Sequence, residues 1–352
     1  MSSIDKVIFI MPSMKSGGAE RVIATLANNL VDFYSIEIWL MIDDQIEYTL
    51  SNRVVVNKDF VEIKKGGIYR LLWLVKSLKK EKNIAIISFM TKMNLYAILA
   101  GKIAGKKVIV SERNDPTKTI SSKYFGLRNI IYKMSDSIVF QTKGAMNFFP
   151  EAIRKKGVLI LNPLRKNIPA VYNGRRENIV VTVSRLHPQK NLVLLIDAFD
   201  KFLIRFPSYK LVIYGEGPLE NKLKETVRKK GIEKNVKFAG FDEDVLNKIS
   251  RASMFVITSN FEGLSNSLIE AMSIGLPCIS TDSPPGGARM VIQDGVNGIL
   301  TPVGDLNSLV EAMCYIADNP ASANSMGISA SKIRETAYEK NICELWREII
   351  EK

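Results

Sequence analysis

Residues 254–272, MFVITSNFEGLSNSLIEAM, hold one complete strand–loop–helix transition. The unbroken apolar run Met254, Phe255, Val256 and Ile257 predicts a strand buried on both faces. From Leu268 onward apolar residues return at helical spacing, and Ser265, Asn266 and Ser267 are good N-cap residues. A buried strand passing through a short turn into a helix is the repeating unit of a parallel α/β sheet. The helix N-terminus carries unpaired N–H groups and partial positive charge, so it favours an anion such as phosphate. Gly263 lets the backbone approach a ligand. Glu262 in the loop and Glu270 in the first turns of the helix supply carboxylates, which accept several hydrogen bonds and so suit sugar hydroxyls. A capped helix with two solvated glutamates has the same pattern, so this stretch says more about fold than about chemistry.

The same transition recurs upstream. The apolar run 179–183 is followed by 184–191, SRLHPQKN, and then by a predicted helix over 192–202. Arg185 and Lys190 lie at that turn, where two cations can hold a diphosphate, arginine by its fork and lysine as a point charge. Further strand-like runs at 210–214, 236–238 and 277–280, with helices at 219–230 and 306–316, complete one alternation. An equivalent alternation occupies the first half, with strand-like runs at 7–11, 36–41, 84–89, 107–110, 137–140 and 158–161. The expected fold class is α/β, two Rossmann-like doubly wound domains in tandem whose facing strand ends form a cleft. Residues 162–176, with two prolines, few apolar residues and several basic ones, read as the linker. In the first half, Gly17 and Gly18 stand between the first strand and a helix over 19–30, where a phosphate or sugar could meet the backbone. The segment does not have the GxGxxG form of a dinucleotide fingerprint. Glu112 and Arg113, in the polar segment after the strand ending at Val110, sit where ligands bind in such sheets.

Bulk composition agrees with two soluble globular domains: 352 residues, 46% hydrophobic and 24% charged. No apolar run is long enough to span a bilayer, and no secretory signal is visible at the polar start. Cys278, Cys314 and Cys343 form neither a metal spacing nor a disulfide framework, which favours a cytosolic setting. The net charge of +13 is uneven, because residues 1–165 carry 26 Lys and Arg against 14 Asp and Glu. One basic half beside a neutral half points to one domain meeting a polyanion or an anionic surface. Residues 68–82, IYRLLWLVKSLKKEK, predict a basic helix with a tryptophan, suited to a membrane interface, and Lys123, Arg128 and Lys133 add a second basic stretch.

Arg185-x4-Lys190 followed by Glu262-x7-Glu270 resembles the signature of the retaining glycosyltransferases of family 4, which have the GT-B fold. Ser16-Gly17-Gly18-Ala19-Glu20-Arg21, Gly215-Glu216-Gly217-Pro218 and Asp294-Gly295-Val296-Asn297-Gly298 are similar to that family in order and spacing, over nearly the whole chain. Together with Ser111-Glu112-Arg113-Asn114, the texture is similar to hexosyl and N-acetylhexosaminyl transferases of bacterial surface-glycan synthesis.

The resemblance implies an acceptor-side domain at 1–165, a donor-binding domain at 166–335, and a helix at 336–352 returning toward the first domain. It implies that Arg185 and Lys190 bind the donor diphosphate and that Glu270 binds the ribose. Glu262 would lie near the donor sugar, and the backbone of Gly263, Leu264 and Ser265 by the phosphate. Gly17 and Gly18 would line the donor site. Glu112, Arg113, Gly286 and Gly287 would lie near acceptor or donor sugar. Relatives often carry histidine where this chain has Arg113; the only histidine here is His187, in the diphosphate loop. The co-substrate expected is a nucleoside diphosphate sugar, with uridine the commonest base, and no metal or other cofactor. Asp242-Glu243-Asp244 has the look of a metal-binding Asp-x-Asp but reads as a helix cap. The expected acceptor is a lipid-diphosphate-linked glycan on the anionic inner face of the plasma membrane. Two alternatives stay open: a nucleotide-sugar epimerase on the same fold, and a non-enzymatic basic protein that binds nucleic acid. The interleaved carboxylates and the lack of a nucleic-acid module weigh against the second.

Overall fold

The computed structural model describes residues 4–15, 17–62 and 66–352. The chain divides into two compact units, one of residues 1–163 with 339–352, the other of residues 164–338.

The first unit has a seven-stranded parallel sheet: β1 (Lys6–Met11), β2 (Ser35–Leu40), β3 (Val54–Asn57), β4 (Ile84–Phe89), β5 (Lys107–Glu112), β6 (Ser137–Phe140) and β7 (Gly157–Leu159). Their order across the sheet is β3-β2-β1-β4-β5-β6-β7. The central strands are buried on both faces, which is why Val7 through Met11 and Ile84 through Phe89 read as continuous rather than alternating runs. Helix α1 (Gly18–Leu30) turns Val22, Ile23, Leu26 and Leu30 onto one face of the sheet. Helices α2 (Gly67–Lys80), α3 (Thr91–Ile103) and α4 (Phe125–Tyr132) cover the other face through Leu74, Leu78, Ala97 and Ile131. The last helix, Glu339–Glu351, returns to the first unit and packs against α1. Trp346 is fully buried with its ring 5.6 Å from that of Phe89.

The second unit has a six-stranded parallel sheet: β8 (Glu177–Val183), β9 (Lys210–Tyr214), β10 (Val236–Gly240), β11 (Ala252–Ile257), β12 (Cys278–Thr281) and β13 (Ile299–Thr301), in the order β10-β9-β8-β11-β12-β13. Helix Leu192–Arg205 supplies Leu195, Phe199 and Phe202 to its core, and Phe202 meets the Tyr209 ring edge-on at 5.0 Å.

Several differences from the sequence reading have local causes. The strands β3 and β13 lie outside the predicted runs, because three or four edge residues show too little of a two-residue period. The segment 162–176 is irregular, yet from Leu164 onward it is fixed to the second unit rather than a free linker. Leu164 is buried and its N–H donates to the Ala337 carbonyl at 2.9 Å. The Arg176 guanidinium donates to the carbonyls of Ser250 at 3.3 Å, Ala252 at 3.1 Å and Gly275 at 2.5 Å. Arg128 does not join a basic surface. It is fully buried among the rings of Phe125, Phe148 and Phe149, and donates to the Pro116 carbonyl at 2.7 Å.

Replacing Trp346 by alanine empties a large buried site and should destabilise the first unit by about 3–5 kcal/mol. Denaturant unfolding should show that unit's transition displaced and the second unit's left in place.

Candidate functional site

The candidate residues of the second unit lie in loops that leave the carboxyl ends of β8, β9, β11 and β12. The loop 184–191 is pressed against the loop after β9, where Leu186 N–H donates to the Glu216 carbonyl at 2.9 Å. Gly215 and Gly217 have φ of +114° and +158°, and a Cβ on either would overlap backbone of Ser184 or Leu186. The same loop is tied to the one after β11. Asn260 N–H donates to the Gln189 carbonyl at 2.8 Å, and Thr258 Oγ1 donates to the Lys190 carbonyl at 2.9 Å.

Glu262 is the knot between these loops. Its Oε2 pairs with the Lys190 ammonium and accepts from Gln189 Nε2 at 3.4 Å and Ser259 Oγ at 3.3 Å. Gln189 Nε2 also reaches the Phe261 carbonyl at 2.9 Å. Among the described residues Glu262 Oε1 has no hydrogen-bond partner. Arg185, five residues before Lys190, is exposed and makes no ion pair among the described residues. His187 accepts the Gln189 N–H on Nδ1 at 3.3 Å and so caps a single turn.

Beyond Glu262, Gly263 and Leu264 lead to Ser265, which caps the helix Asn266–Ser273 by accepting the Leu268 N–H at 3.4 Å. The first-turn N–H groups and the dipole of this helix make its start attractive to an anion. The loop after β12 closes on the same place: Glu262 N–H donates to the Pro284 carbonyl at 2.8 Å. Gly287 lies so near Gly263 that a Cβ would overlap its carbonyl, and Gly286 takes φ of +90°. Glu270, only 2% exposed, is held by Arg165, whose Nε donates to Oε1 at 2.8 Å and Nη2 to Oε2 at 3.3 Å. Sequence reasoning passed over both Arg165 and Gln189. In sequence Arg165 is one of several basic residues at the linker, and Gln189 sits between the cations of its loop.

Asp242 pairs with Lys248 and accepts the Asp244 N–H at 2.9 Å. Asp244 is the N-cap residue of the short helix Val245–Ile249 without a side-chain cap bond. The Asp-x-Asp pair is thus occupied by its own loop and helix.

In the first unit, Gly17 is extended, and the Tyr48 hydroxyl both donates to its carbonyl at 2.7 Å and accepts its N–H at 2.9 Å. Gly18 opens α1. Ser16, from the same motif, lies outside the described residues. Glu112 is not presented to a sugar as expected. It ends β5 pointing into the core, 1% exposed, where it accepts from the Tyr132 hydroxyl and from Thr91 Oγ1 at 3.2 Å. Burial pushes its carboxyl above the usual carboxylate range, against the pull of Tyr132 and Arg128. Arg113 donates to Asn162 Oδ1 at 2.5 Å and Ser111 Oγ at 3.3 Å, and its guanidinium lies 4.3 Å from the Phe89 ring centre. Burial lowers its pKa to about 9, so it remains a cation at neutral pH.

Two doubly wound units of this kind are the fold of the GT-B glycosyltransferases, and solved structures match it. HepE of Anabaena, solved in complex with UDP, superposes with a TM-score of 0.81 at 19% identity, over 97% of this chain and 98% of that one. The lipopolysaccharide outer core galactosyltransferase WaaB superposes at 0.76 with 22% identity, over 98% and 99%. In sequence, the Campylobacter jejuni GalNAc-alpha-(1->4)-GalNAc-alpha-(1->3)-diNAcBac-PP-undecaprenol alpha-1,4-N-acetyl-D-galactosaminyltransferase is 28% identical over 359 residues, spanning 98% of each chain. The chain is a glycosyltransferase, and its residues 165–333 match the family described as glycosyl transferases group 1.

The backbone contact at Gly287 gives a direct test of how tightly the loops close. Gly287→Ala must push the loops after β11 and β12 apart and should destabilise the second unit by about 1–3 kcal/mol. Gly126→Ala, on an open helical site, should leave stability unchanged or raised by about 1 kcal/mol in the same unfolding experiment.

Proposed function

We propose that this glycosyltransferase moves a sugar, with retention, from a nucleoside diphosphate sugar to a hydroxyl of a lipid-diphosphate-linked glycan in bacterial surface-glycan synthesis. The donor is a UDP-hexose or UDP-N-acetylhexosamine. The observation that carries the reading is the knot at Glu262, where a cation, a carboxylate and the approach to a helix N-terminus share one loop crossing. Cleavage of the sugar–phosphate bond develops charge on the departing diphosphate. Arg185, Lys190 and the N-terminus at Ser265 are the groups suited to stabilise it, and such stabilisation is usually the largest catalytic contribution. A diphosphate arriving there competes with Glu262 for the Lys190 ammonium. Glu262 would then turn its second oxygen to a hydroxyl of the donor sugar. Glu270, oriented by Arg165, is the acceptor for the ribose hydroxyls. In this reading the fixed cations replace a metal. Retention is carried by the resemblance to family 4, and uridine is supported by the UDP in HepE. The lipid-linked acceptor is supported by the name of the Campylobacter relative.

Arg185→Ala and Lys190→Ala should each lower sugar transfer by about a hundredfold or more while both units stay folded. Transfer by the unaltered protein should persist in excess chelator. Near-normal turnover of both variants, or loss of transfer in chelator that magnesium or manganese restores, would overturn the assignment.

The proposed place of action rests on the surface of the first unit. The outer faces of α2 and α4, which flank α3 on one side of the sheet, expose Leu72 (60%), Trp73 (49%) and Ile130 (63%). Exposed Lys76, Lys79, Lys80, Lys123 and Lys133 accompany them. Apolar side chains among lysines suit an anionic bilayer surface, where each basic residue contributes about 1 kcal/mol. No helix of the described residues is long and apolar enough to cross a membrane. The occupant proposed for this face is the anionic inner leaflet. In a flotation experiment the protein should rise with anionic vesicles at low salt, less so at high salt, and not with neutral ones. Replacing Lys76, Lys79 and Lys80 by glutamate should weaken flotation without changing nucleotide-sugar binding. Absence of flotation with anionic vesicles would instead favour a soluble acceptor.

A further inference from the structure

At the opposite end of the first unit's sheet, where β5, β6 and β7 begin, lies a hollow of about 780 Å³. Lys102, Lys106, Lys107, Lys155, Lys156 and Lys352 line it, and Asp136 is its one lining carboxylate. It continues into a second hollow of about 500 Å³ that shares Lys106, Lys107 and Lys352 and adds the carboxylate of Glu351. Lys107 begins the strand that ends at Glu112, so this site is roughly 17 Å from the strand ends where ligands of such folds sit.

The charges here are held in place but poorly neutralised. Asp136 Oδ2 is shared between Lys102 Nζ at 2.5 Å and the Val108 N–H at 2.6 Å. Lys155 meets Glu151 at 3.0 Å, but both are largely exposed and such a pair is weak. The other bonds go to backbone carbonyls. Lys106 donates to that of Glu81, Lys107 to that of Ile350 at 2.8 Å, and Lys156 to those of Lys133 at 2.7 Å and Ser135 at 2.8 Å. A carbonyl fixes the position of an ammonium without cancelling its charge, and an ammonium has three donors. Among the described residues Lys106 and Lys107 therefore keep two donors each and Lys156 one. Burial, and then the nearby Lys102, push the Lys107 pKa below its ordinary value against the opposing pull of Asp136.

We propose that this lysine-lined hollow is a second ligand site of the first unit, for a small polyanion carrying two or more phosphoryl groups. Charge-assisted bonds from several ammoniums to phosphate oxygens are the recognition chemistry. The site is independent of the donor reading, since none of its residues belongs to the loops around Glu262.

Calorimetric titration of tripolyphosphate into the full chain, with UDP in excess, tests it. One tripolyphosphate should bind with UDP present. The variant Lys106→Gln/Lys155→Gln/Lys156→Gln keeps a side-chain donor for each carbonyl and should bind about tenfold more weakly or worse. A second variant, Lys155→Glu/Lys352→Glu, alters two exposed residues and should show the same loss with an unchanged circular dichroism spectrum. Vesicles of phosphatidylcholine with and without cardiolipin identify the source. Weaker cardiolipin binding by the variants assigns the phosphates to a lipid headgroup, and a loss confined to tripolyphosphate assigns them to a soluble compound. Unchanged tripolyphosphate affinity in both variants would overturn the proposal.

Discussion

A single carboxylate oxygen, Oε2 of Glu262, joins the loop after β8 to the loop after β11 by taking the Lys190 ammonium, the Gln189 amide and the Ser259 hydroxyl. It shares that task with the bonds of Asn260 N–H to the Gln189 carbonyl and of Thr258 Oγ1 to the Lys190 carbonyl. In a parallel sheet the loops at one edge share no strand hydrogen bonds, so side chains and backbone caps must align them. Glu262 does this in the middle of the edge. The glycines on either side let neighbouring backbones close in, Gly215 and Gly217 against Ser184 and Leu186, and Gly287 against Gly263. Lys190 and Glu262 neutralise each other here, so under the proposed function an entering anion would exchange one partner for another and not meet a bare charge. That exchange lowers the desolvation penalty that an isolated buried ammonium would carry.

The first unit organises its polar residues differently. Its strand ends lead into a buried network in which Asn94 donates to the Ser111 carbonyl and the Tyr132 hydroxyl, both at 3.0 Å, and Tyr132 donates to Glu112. Arg128 lies nearby among three phenylalanine rings, a setting in which a cation gains from the ring faces as well as from Glu112. These charges support the segment around Arg113 and are withdrawn from solvent. The unit's basic excess therefore resides in lysines on the outer helices and at the strand-starting edge. Those are two separate surfaces with different texture, one mixed with exposed apolar residues and the other concave and polar.

The final helix shows how the two units divide the chain. Residues 164–338 form one unit, and the chain then returns to bury Trp346 beside Phe89 and to place Ile342, Ile349 and Ile350 in the core that includes α1. The Lys107 ammonium adds a bond to the Ile350 carbonyl, so this return also forms one wall of the lysine hollow. A segment far along the sequence thus completes both a core and a candidate site of the first unit.

The alternation of buried strands and helices, the two-unit organisation, and the turns at 184–191 and 258–265 are legible in the amino-acid order. These follow from short-range pattern: unbroken apolar runs, helical spacing, and capping residues such as Ser265. That order also marks Arg185, Lys190, Glu262 and Glu270 as polar residues at strand-to-helix turns. Which charges meet depends on how the chain packs. Packing buried Glu112 and Arg128, bound Arg165 to Glu270 across 105 positions, and drew Gln189 to Glu262 across 73. It also collected lysines from α3, from the segment after it and from the chain's last residues around one hollow. Burial and partnering of a charged side chain depend on distant segments brought together by packing, and neither leaves a periodic trace in the local sequence.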